Sequence, residues 1–336
     1  MNNFENVKLD RFMYKVSGKS FSEVLENEDA STEYKNTPYA DLDAYQRQLK
    51  RFDIKVSSPA CDRVEKFFST AESAALFPEY LSRAVRTGID DNNIIPSITA
   101  ARTKVDSLDY RSIASVPSDD DKSLSPVGEG AYIPQTRVKL KENLIHLYKR
   151  GRMLVSSYEA LKFQKLDVFT VTLRQIGAYI AKAQLADAVD VLINGDGNNN
   201  AAEVISTAEA GKLTYADILT LWSKFNGYEM NTLLANSATM VKILSLAEFK
   251  DPEAAVSVKA GGTYIPALNL TIIKCDSVPD NKIVALDKNC ALEAVVAEEI
   301  SIDHDKVIDR QLEQTAITSI TGFAKLFPDA VKVLSL

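Results

Sequence analysis

Histidine is almost missing: His146 and His304 are the only two in 336 residues. That shortage removes the commonest general base at neutral pH from nearly all of the chain. No H-E-x-x-H, G-x-S-x-G or Walker-type phosphate loop occurs. Cysteine is scarce too. Cys61, Cys275 and Cys290 form an odd set without C-x-x-C spacing, so they read as free thiols of a reducing cytoplasm and not as disulfides or metal ligands. Basic charge is in deficit, with 39 Lys+Arg against 46 Asp+Glu and a net charge of -7. That balance argues against a protein that grips nucleic acid through basic patches. No apolar run approaches the length of a transmembrane helix. Met1-Asn2-Asn3-Phe4-Glu5 lacks the basic-then-apolar order of a signal peptide. Internal repeats and low-complexity tracts are absent. What is present is an ordinary globular composition, 46% hydrophobic and 25% charged, long enough for a large core and two domains.

The most informative stretch runs from Ser156 to Gly197. Ser156 and Glu159 have capping-box spacing. Leu166, Phe169, Leu173, Ile176, Ile180 and Ala183 then recur at steps of three and four, on one face of a helix. No proline interrupts the run, and Asn194-Gly195-Asp196-Gly197 supplies a glycine stop. About 37 helical residues would make a rod of about 55 Å.

Upstream, residues 1 to about 58 read as an arm, not a core. Short helices are predicted over Ser20–Asn27 and Asp41–Phe52, with a polar segment, Glu28–Pro38, between them that cannot fold alone. Cys61–Thr70 reads as a helix. Ile98–Ile113 and Ala131–Val155 read as two extended runs about a charged break at Ser118–Gly130. They predict a long hairpin with Arg137, Lys139 and Lys141 on one side and Val138 and Leu140 on the other. About 15 residues per arm gives a reach near 50 Å. A ribbon of that length is marginal by itself, so it needs a neighbouring copy to lie on. Downstream, Thr214 and Asp217 cap a helix that stops at Gly227, and Ser237 is expected to cap another through Leu246. Strands are predicted at Asn231–Ala235, Leu268–Lys274 and Lys282–Leu286, with mostly apolar Ala291–Ile302, a long extended run over Val307–Phe327 and a closing strand over Ala330–Leu334. Strands alternating with helices between 213 and 300 suggest a compact α/β domain.

Candidate chemistry is thin. His146 sits among strand residues and reads as structural. Asp303-His304-Asp305 could orient an imidazole, but it lacks a nucleophile motif and reads as a solvated turn. Gly195-Asp196-Gly197-Asn198-Asn199-Asn200 fails as a phosphate loop because it follows a helix and lacks the third glycine. It fails as a calcium loop because Ala201 and Thr207 stand where glycine and glutamate are required. A helix cap and polar turn is the simpler reading. Asp119-Asp120-Asp121 reads as a solvated tip. Arg150-Gly151-Arg152 suits either a surface charge pair or contact with acidic groups of a partner. No catalytic, cofactor-binding or metal residue is assigned.

The order of parts resembles the tailed-phage major capsid proteins of the Hong Kong 97 type, over about residues 60 to 336. Three stretches carry the likeness. Val127-Gly128-Glu129-Gly130-Ala131-Tyr132-Ile133-Pro134 leads through the hairpin to Met153–Leu161, similar to the family's extended loop feeding its spine helix. Val191-Leu192-Ile193-Asn194-Gly195-Asp196-Gly197 is close to the family's L-x-N-G-D-G. Leu234-Ala235-Asn236, then Gly261-Gly262 through Val278-Pro279 to Phe327-Pro328-Asp329-Ala330-Val331, resembles the axial domain and the closing strand.

The resemblance implies an α+β capsid fold with an N-terminal arm and lead-in helices (1–94), an extended β-hairpin loop (95–153) and a peripheral domain with the spine helix (154–212). An axial domain (213–302) and closing peripheral strands (303–336) complete it. It implies a non-enzymatic, cofactor-free shell protein that assembles with copies of itself into hexamers and pentamers. The expected partners are a separate scaffolding protein, a portal and decoration proteins. The shell would enclose double-stranded DNA without sequence-specific binding, with no membrane, and would form in the host cytoplasm as part of the virion. An encapsulin-like nanocompartment shell is the alternative. Ile133 stands where some members carry a crosslinking lysine, which disfavours autocatalytic crosslinking. The first 60 residues exceed the shared part. Their length favours an arm over a fused scaffold.

Overall fold

Two compact units build the chain, and the spine helix contributes to both. The computed structural model describes residues 4–16, 19–114, 126–131, 133, 139–157, 159, 163–250, 257–259, 262–307, 309 and 311–336. The first unit comprises Met1–Asn92, Gly151–Ala181 and Ile300–Ser319. The second comprises Asn93–Arg150, Lys182–Glu299 and Ile320–Leu336.

The first unit is mostly helical. Helix α1 (Phe21–Glu28) starts at Ser20, whose side chain accepts from the Glu23 amide while the Glu23 carboxylate accepts from the Ser20 amide. Helix α2 (Ala44–Arg51) starts at Asp43 with Gln46 in the same reciprocal arrangement. A short helix, α3 (Ala71–Ala74), precedes helix α4 (Phe77–Asp90), where Pro78 sits in the first turn with its φ already suited to a helix. Cys61–Thr70 does not form an α-helix; only a 3-10 turn forms, at Val64–Phe68.

Residues 1–58 are no free-standing arm: of the two fates open to their polar segment, mobile or laid on another body, the described residues show the second. Leu9, Met13, Phe21, Leu25, Tyr45 and Leu49 are buried in one cluster with α4 and the spine residues Leu166, Phe169 and Leu173. Each such side chain contributes about 1.5–3 kcal/mol relative to exposure. The polar segment folds because its charges are paired inside. Arg47 donates from Nε to Asp29 Oδ2 at 2.7 Å, with both side chains essentially inaccessible to water. The Arg47 guanidinium also donates to the Asp29 and Leu42 carbonyls, each at 2.6 Å, and lies over the Tyr34 ring. A hydropathy count misses such a segment, because its burial is carried by compensated charge.

The spine helix runs over Leu166–Asn194. Its expected stop is where the structure places it: Gly195 has φ +86° and donates its amide to Val191 O at 2.9 Å. Its expected start is not. Ser156 lies in a strand over Leu147–Ser157, and Lys165 still makes an antiparallel bridge to Arg63. The Ser156/Glu159 spacing is a cap pattern that strand pairing overrides. In the first unit α4 crosses the spine with no side chain between the backbones. A Cβ at Gly88 would lie 2.1 Å from Arg174 O, and one at Gly177 would lie 2.2 Å from Val85 O.

Strands are numbered along the chain. In the second unit they are β1 (Ala101–Lys104), β2 (Ile113–Ala114), β3 (Lys139–Leu140), β5 (Glu203–Ser206), β6 (Thr232–Ala235), β7 (Ser257–Lys259), β8 (Gly262–Ile265), β9 (Leu270–Lys274), β10 (Lys282–Leu286) and β13 (Val331–Ser335). Strands β4 (Leu147–Ser157), β11 (Leu292–Val307) and β12 (Leu312–Lys325) contribute residues to both units. A seven-stranded mixed sheet has the order β5-β13-β10-β6-β9-β8-β7. Strand β6 is parallel to β9 and β13 to β5, while β10 is antiparallel to both β6 and β13.

Both faces of that sheet are covered, so its central strands read as unbroken apolar runs. Leu234, Val284, Leu286 and Val333 pack with the spine residues Leu185, Val189 and Leu192. Leu233, Ala235, Ile283 and Ala285 pack on the other face with Ile218, Leu221 and Ile243. Two helices supply those last three, over Tyr215–Ser223 and Ser237–Leu244. The first has the expected Thr214/Asp217 box. The second is capped by Asn236, one residue before the expected Ser237.

The outer part of the long two-stranded ribbon, 115–125 and 134–138, lies outside the described residues. Among the described residues the two arms form one ladder, β2 with β3, which pairs Ile113 with Leu140 and Ala114 with Lys139. A second sheet has the order β1-β11-β12-β4. The roots of the arms join it, and β1 runs parallel to β11 from Ala101↔Glu293 to Lys104↔Val296.

The glycine crossing gives the first prediction. Gly177→Ala should destabilise the protein by about 2–3 kcal/mol through overpacking. Gly128→Ala, where an added Cβ meets nothing within 4 Å, should be neutral within about 0.5 kcal/mol. Urea unfolding midpoints of the two variants check this.

Candidate functional site

The residues singled out for chemistry do not converge. His146 is exposed and stacks edge-on against Tyr148, with ring centroids 4.5 Å apart. Asp303 lines a cavity of the first unit, Asp305 is exposed, and the His304 side chain lies outside the described residues. Asp119, Asp120 and Asp121 also lie outside them. Arg150 pairs with Asp187 of the spine through both its Nε, at 3.1 Å, and its Nη2. Ile133 is exposed. Among the described residues no group of His, Cys, Asp and Glu could hold a metal ion.

The structure instead gathers charge at the root of the extended loop, inside the second unit. The spine ends at Asn194, and Gly195 and Gly197, at φ +86° and +88°, turn the chain back. The turn is held by Asn200, whose Oδ1 accepts from the Asp196 amide at 3.0 Å. Asp196 is thereby carried inward, leaving its side chain 1% exposed. Its carboxylate accepts from Lys141 Nζ, from the Lys325 amide at 2.9 Å and from Asn198 Nδ2 at 3.0 Å. Lys141 Nζ also donates to the Lys325 carbonyl at 2.6 Å. Lys325 is fully buried and its Nζ donates to Leu192 O, one of the helix's last carbonyls, at 3.1 Å. Those carbonyls lack intrahelical partners and carry the negative end of the macrodipole, so an ammonium fits there.

The electrostatics follow from two ammoniums sharing one carboxylate. Burial by itself would raise the Asp196 pKa. The hydrogen bonds from Lys141, Asn198 and the Lys325 amide outweigh it and hold the group below the ordinary carboxylate value. Burial pushes Lys325 down to about 8. Asp196 opposes that shift, and Lys141 and Lys332 add to it.

The other arm of the loop is anchored to a buried carboxylate, Glu293 of β11. Its Oε1 accepts from Thr103 Oγ1 at 2.5 Å and from the Tyr110 hydroxyl at 2.7 Å, and its Oε2 accepts from Ser112 Oγ. The arms meet where Lys141 donates its amide to Ser112 O at 2.9 Å and Ile145 donates to Tyr110 O at 2.8 Å. The second arm docks on the helix-end turn as well, where Asn143 Nδ2 donates to Gly197 O at 2.7 Å. Both arms are thus pinned to one body by hydrogen-bonded charge, an arrangement that orients a loop.

Alternation places Lys139 and Lys141 on one side of the strand and Leu140 on the other. In the structure the two lysines part: Lys139 and Leu140 are both exposed and Lys141 is buried. Alternation holds only while a strand continues, and β3 ends at Leu140. The L-x-N-G-D-G stretch did mark the turn, but nothing local says that its aspartate faces inward. The partners lie 55 and 129 residues away.

A sheet buried on both faces, a helix shared by two units and a loop clamped at both roots define a shell-subunit fold with no catalytic set assigned to it. The family model for phage capsid protein matches residues 141–325, a stretch that opens and closes on the two lysines of the cluster. The chain belongs to that family, and its fold is of the Hong Kong 97 type. It is similar to the capsid of an empty GTA particle, with a TM-score of 0.54 at 15% identity over 73% of this chain and 90% of that one. It is also similar to Gordonia phage Cozz, with a TM-score of 0.51 at 13% identity over 73% and 86%. The holo-SrpI encapsulin complex from Synechococcus elongatus PCC 7942 gives 0.51 at 16% over 70% and 84%. No curated protein matches the chain.

Lys325 generates a prediction with a definite sign. Its folded pKa, about 8, lies below the 10.5 of a lysine in the unfolded chain. Between about pH 8 and 10.5 the unfolded chain therefore holds more protons and stability rises with pH, while below about 8 the full cost of burying the charge applies. Lys325→Met removes that term. The stability of the native protein relative to this variant should increase by on the order of 3 kcal/mol between pH 7.5 and 10.5. Denaturation midpoints of both proteins at each pH measure it, and parallel curves would contradict the burial of a charged Lys325.

Proposed function

We propose that the chain is the major capsid protein of a tailed phage, self-assembling as hexamers and pentamers into an icosahedral shell around double-stranded DNA. The observation that carries this reading is the family match, which covers the loop root, the spine helix and most of the seven-stranded sheet. Surface chemistry supports it. In the first unit Val168, Val171 and Tyr179 stand 54%, 66% and 49% exposed along one side of the spine, with Met153 and Val155 of β4 also exposed. Apolar exposure of this kind marks association surfaces. A capsid subunit needs interfaces of roughly 2,000–5,000 Å² to hold a closed shell.

In this reading residues 213–302 form the axial domain that meets its copies at five- and six-fold positions, and the clamped loop reaches a neighbouring subunit. Scaffolding protein, portal and decoration proteins act in trans, and the particle forms in the host cytoplasm before it becomes a virion. The acidic balance of the chain, -7 overall, suits a wall that confines DNA without gripping it. The chain's role is geometric, not catalytic. The same fold serves the encapsulin complex, and particle contents separate the two readings: DNA for a capsid, a packaged enzyme for a nanocompartment.

Electron microscopy of the purified chain, alone and with the scaffolding protein, should show closed shells. Val171→Glu should reduce particle yield at least tenfold in sedimentation assays, while its monomer unfolding midpoint stays within about 0.5 kcal/mol of the native protein. A chain that stays monomeric at high concentration under both conditions would overturn the proposal.

A further inference from the structure

Helix α4 has no cap of its own. Leu76 at its N-terminal boundary makes no side-chain cap hydrogen bond, so the first amides of the helix need another acceptor. Tyr14 supplies it from 65 residues upstream. The Glu79 amide donates to the Tyr14 hydroxyl at 3.0 Å, and that hydroxyl donates to Ala75 O at 2.8 Å. A turn later the Arg83 guanidinium is held by the same N-terminal segment. It donates from Nη1 to Asp43 Oδ2 and from Nη2 to Ser22 Oγ, both at 2.6 Å, and lies over the Tyr45 ring. The segment is itself tied together by Gln48 Nε2 donating to Phe4 O at 2.7 Å and by Arg51 donating to Val7 O at 2.7 Å. Helix α4 in turn touches the spine backbone at Gly88 and Gly177.

We infer that residues 4–56 are a built-in brace, which caps α4 with Tyr14, locks it through Arg83, and is kept by the assembled subunit instead of being shed as a pro-segment. The longest exposed run between this segment and α3 is Ser57–Ala60. It is open to a protease, yet cutting it removes none of the contacts above. Loss of the segment would instead uncap α4, leave Arg83 without Asp43 and Ser22, and take Leu9, Met13, Phe21, Leu25, Tyr45 and Leu49 out of the apolar cluster they share with α4. A subunit that discarded it would have to rebuild this core. The brace rests on packing within the first unit alone; its retention in particles rests also on the shell reading.

Two measurements test the inference. A site-specific protease sequence inserted between Ser58 and Pro59 of the full chain allows the brace to be nicked in place. The two fragments should co-elute on gel filtration and separate only in denaturant, and subunits from assembled particles should give an intact mass that includes residues 4–56. Tyr14→Phe removes both hydrogen bonds with little change of shape. It should raise hydrogen exchange at the Glu79 amide at least tenfold and leave the amides of β10 unchanged. Release of the N-terminal fragment without denaturant, particle subunits lacking it, or unchanged Glu79 exchange in Tyr14→Phe would each overturn the inference. The nick and the exchange experiment need no particle, so they decide the brace even where assembly fails. Should the insertion prevent folding, Tyr14→Phe decides it alone.

Discussion

A charge taken out of water must find its compensation within hydrogen-bond reach, and this constraint organises the second unit. Two ammoniums and one carboxylate share a dry volume at the end of the spine helix. The carboxylate can be there only if the helix stops and the chain doubles back, which two left-handed glycines permit. The second ammonium can be there only because the helix's last carbonyls accept it. The first brings the extended loop with it. Helix length, turn geometry, strand end and loop root are therefore not separate choices. Moving any one of them strands a buried charge, at a cost of several kcal/mol.

Legibility of the fold in the sequence followed the range of the interactions. Caps are local, and the Thr214/Asp217 box stands where its spacing placed it, as does the short helix read from Ser20. The glycine stop at Asn194-Gly195 is local as well. Strand β10 was readable at Lys282–Leu286 because both of its faces are covered and every position is apolar or tolerant. The failures were long-range. Ser156 and Glu159 carry a cap pattern, but Ser156 belongs to β4. The polar N-terminal segment looked unable to fold because its largest buried side chain is an arginine, Arg47, satisfied by Asp29 and two carbonyls. Lys141 was grouped with Lys139 because alternation was extrapolated past the end of β3. The family resemblance carried the architecture over these gaps, while the residues that hold the architecture together became visible only with their partners.

Ionisable groups that would suggest chemistry elsewhere are here spent on structure. Glu293 accepts from three hydroxyls, Asp196 from Lys141, Asn198 and an amide, and Asp29 from Arg47 and a tyrosine, Tyr34, whose own pKa burial pushes up to about 12. Each of these carboxylates is buried and held by donors of its own chain. The same arrangement gives a shell protein what it needs, which is a set of fixed angles between the parts that meet neighbours.

The crossing at Gly88 and Gly177 has a mechanical consequence. Side chains ordinarily act as a compliant layer between helices, changing rotamer and letting one slide past the other. At this point there is no such layer, because main chain rests on main chain, while further along the pair Phe77 and Tyr80 pack on Phe169. A load applied to α4 at the crossing passes directly to the main chain of the spine, and sliding of one helix along the other is blocked there by the backbone itself.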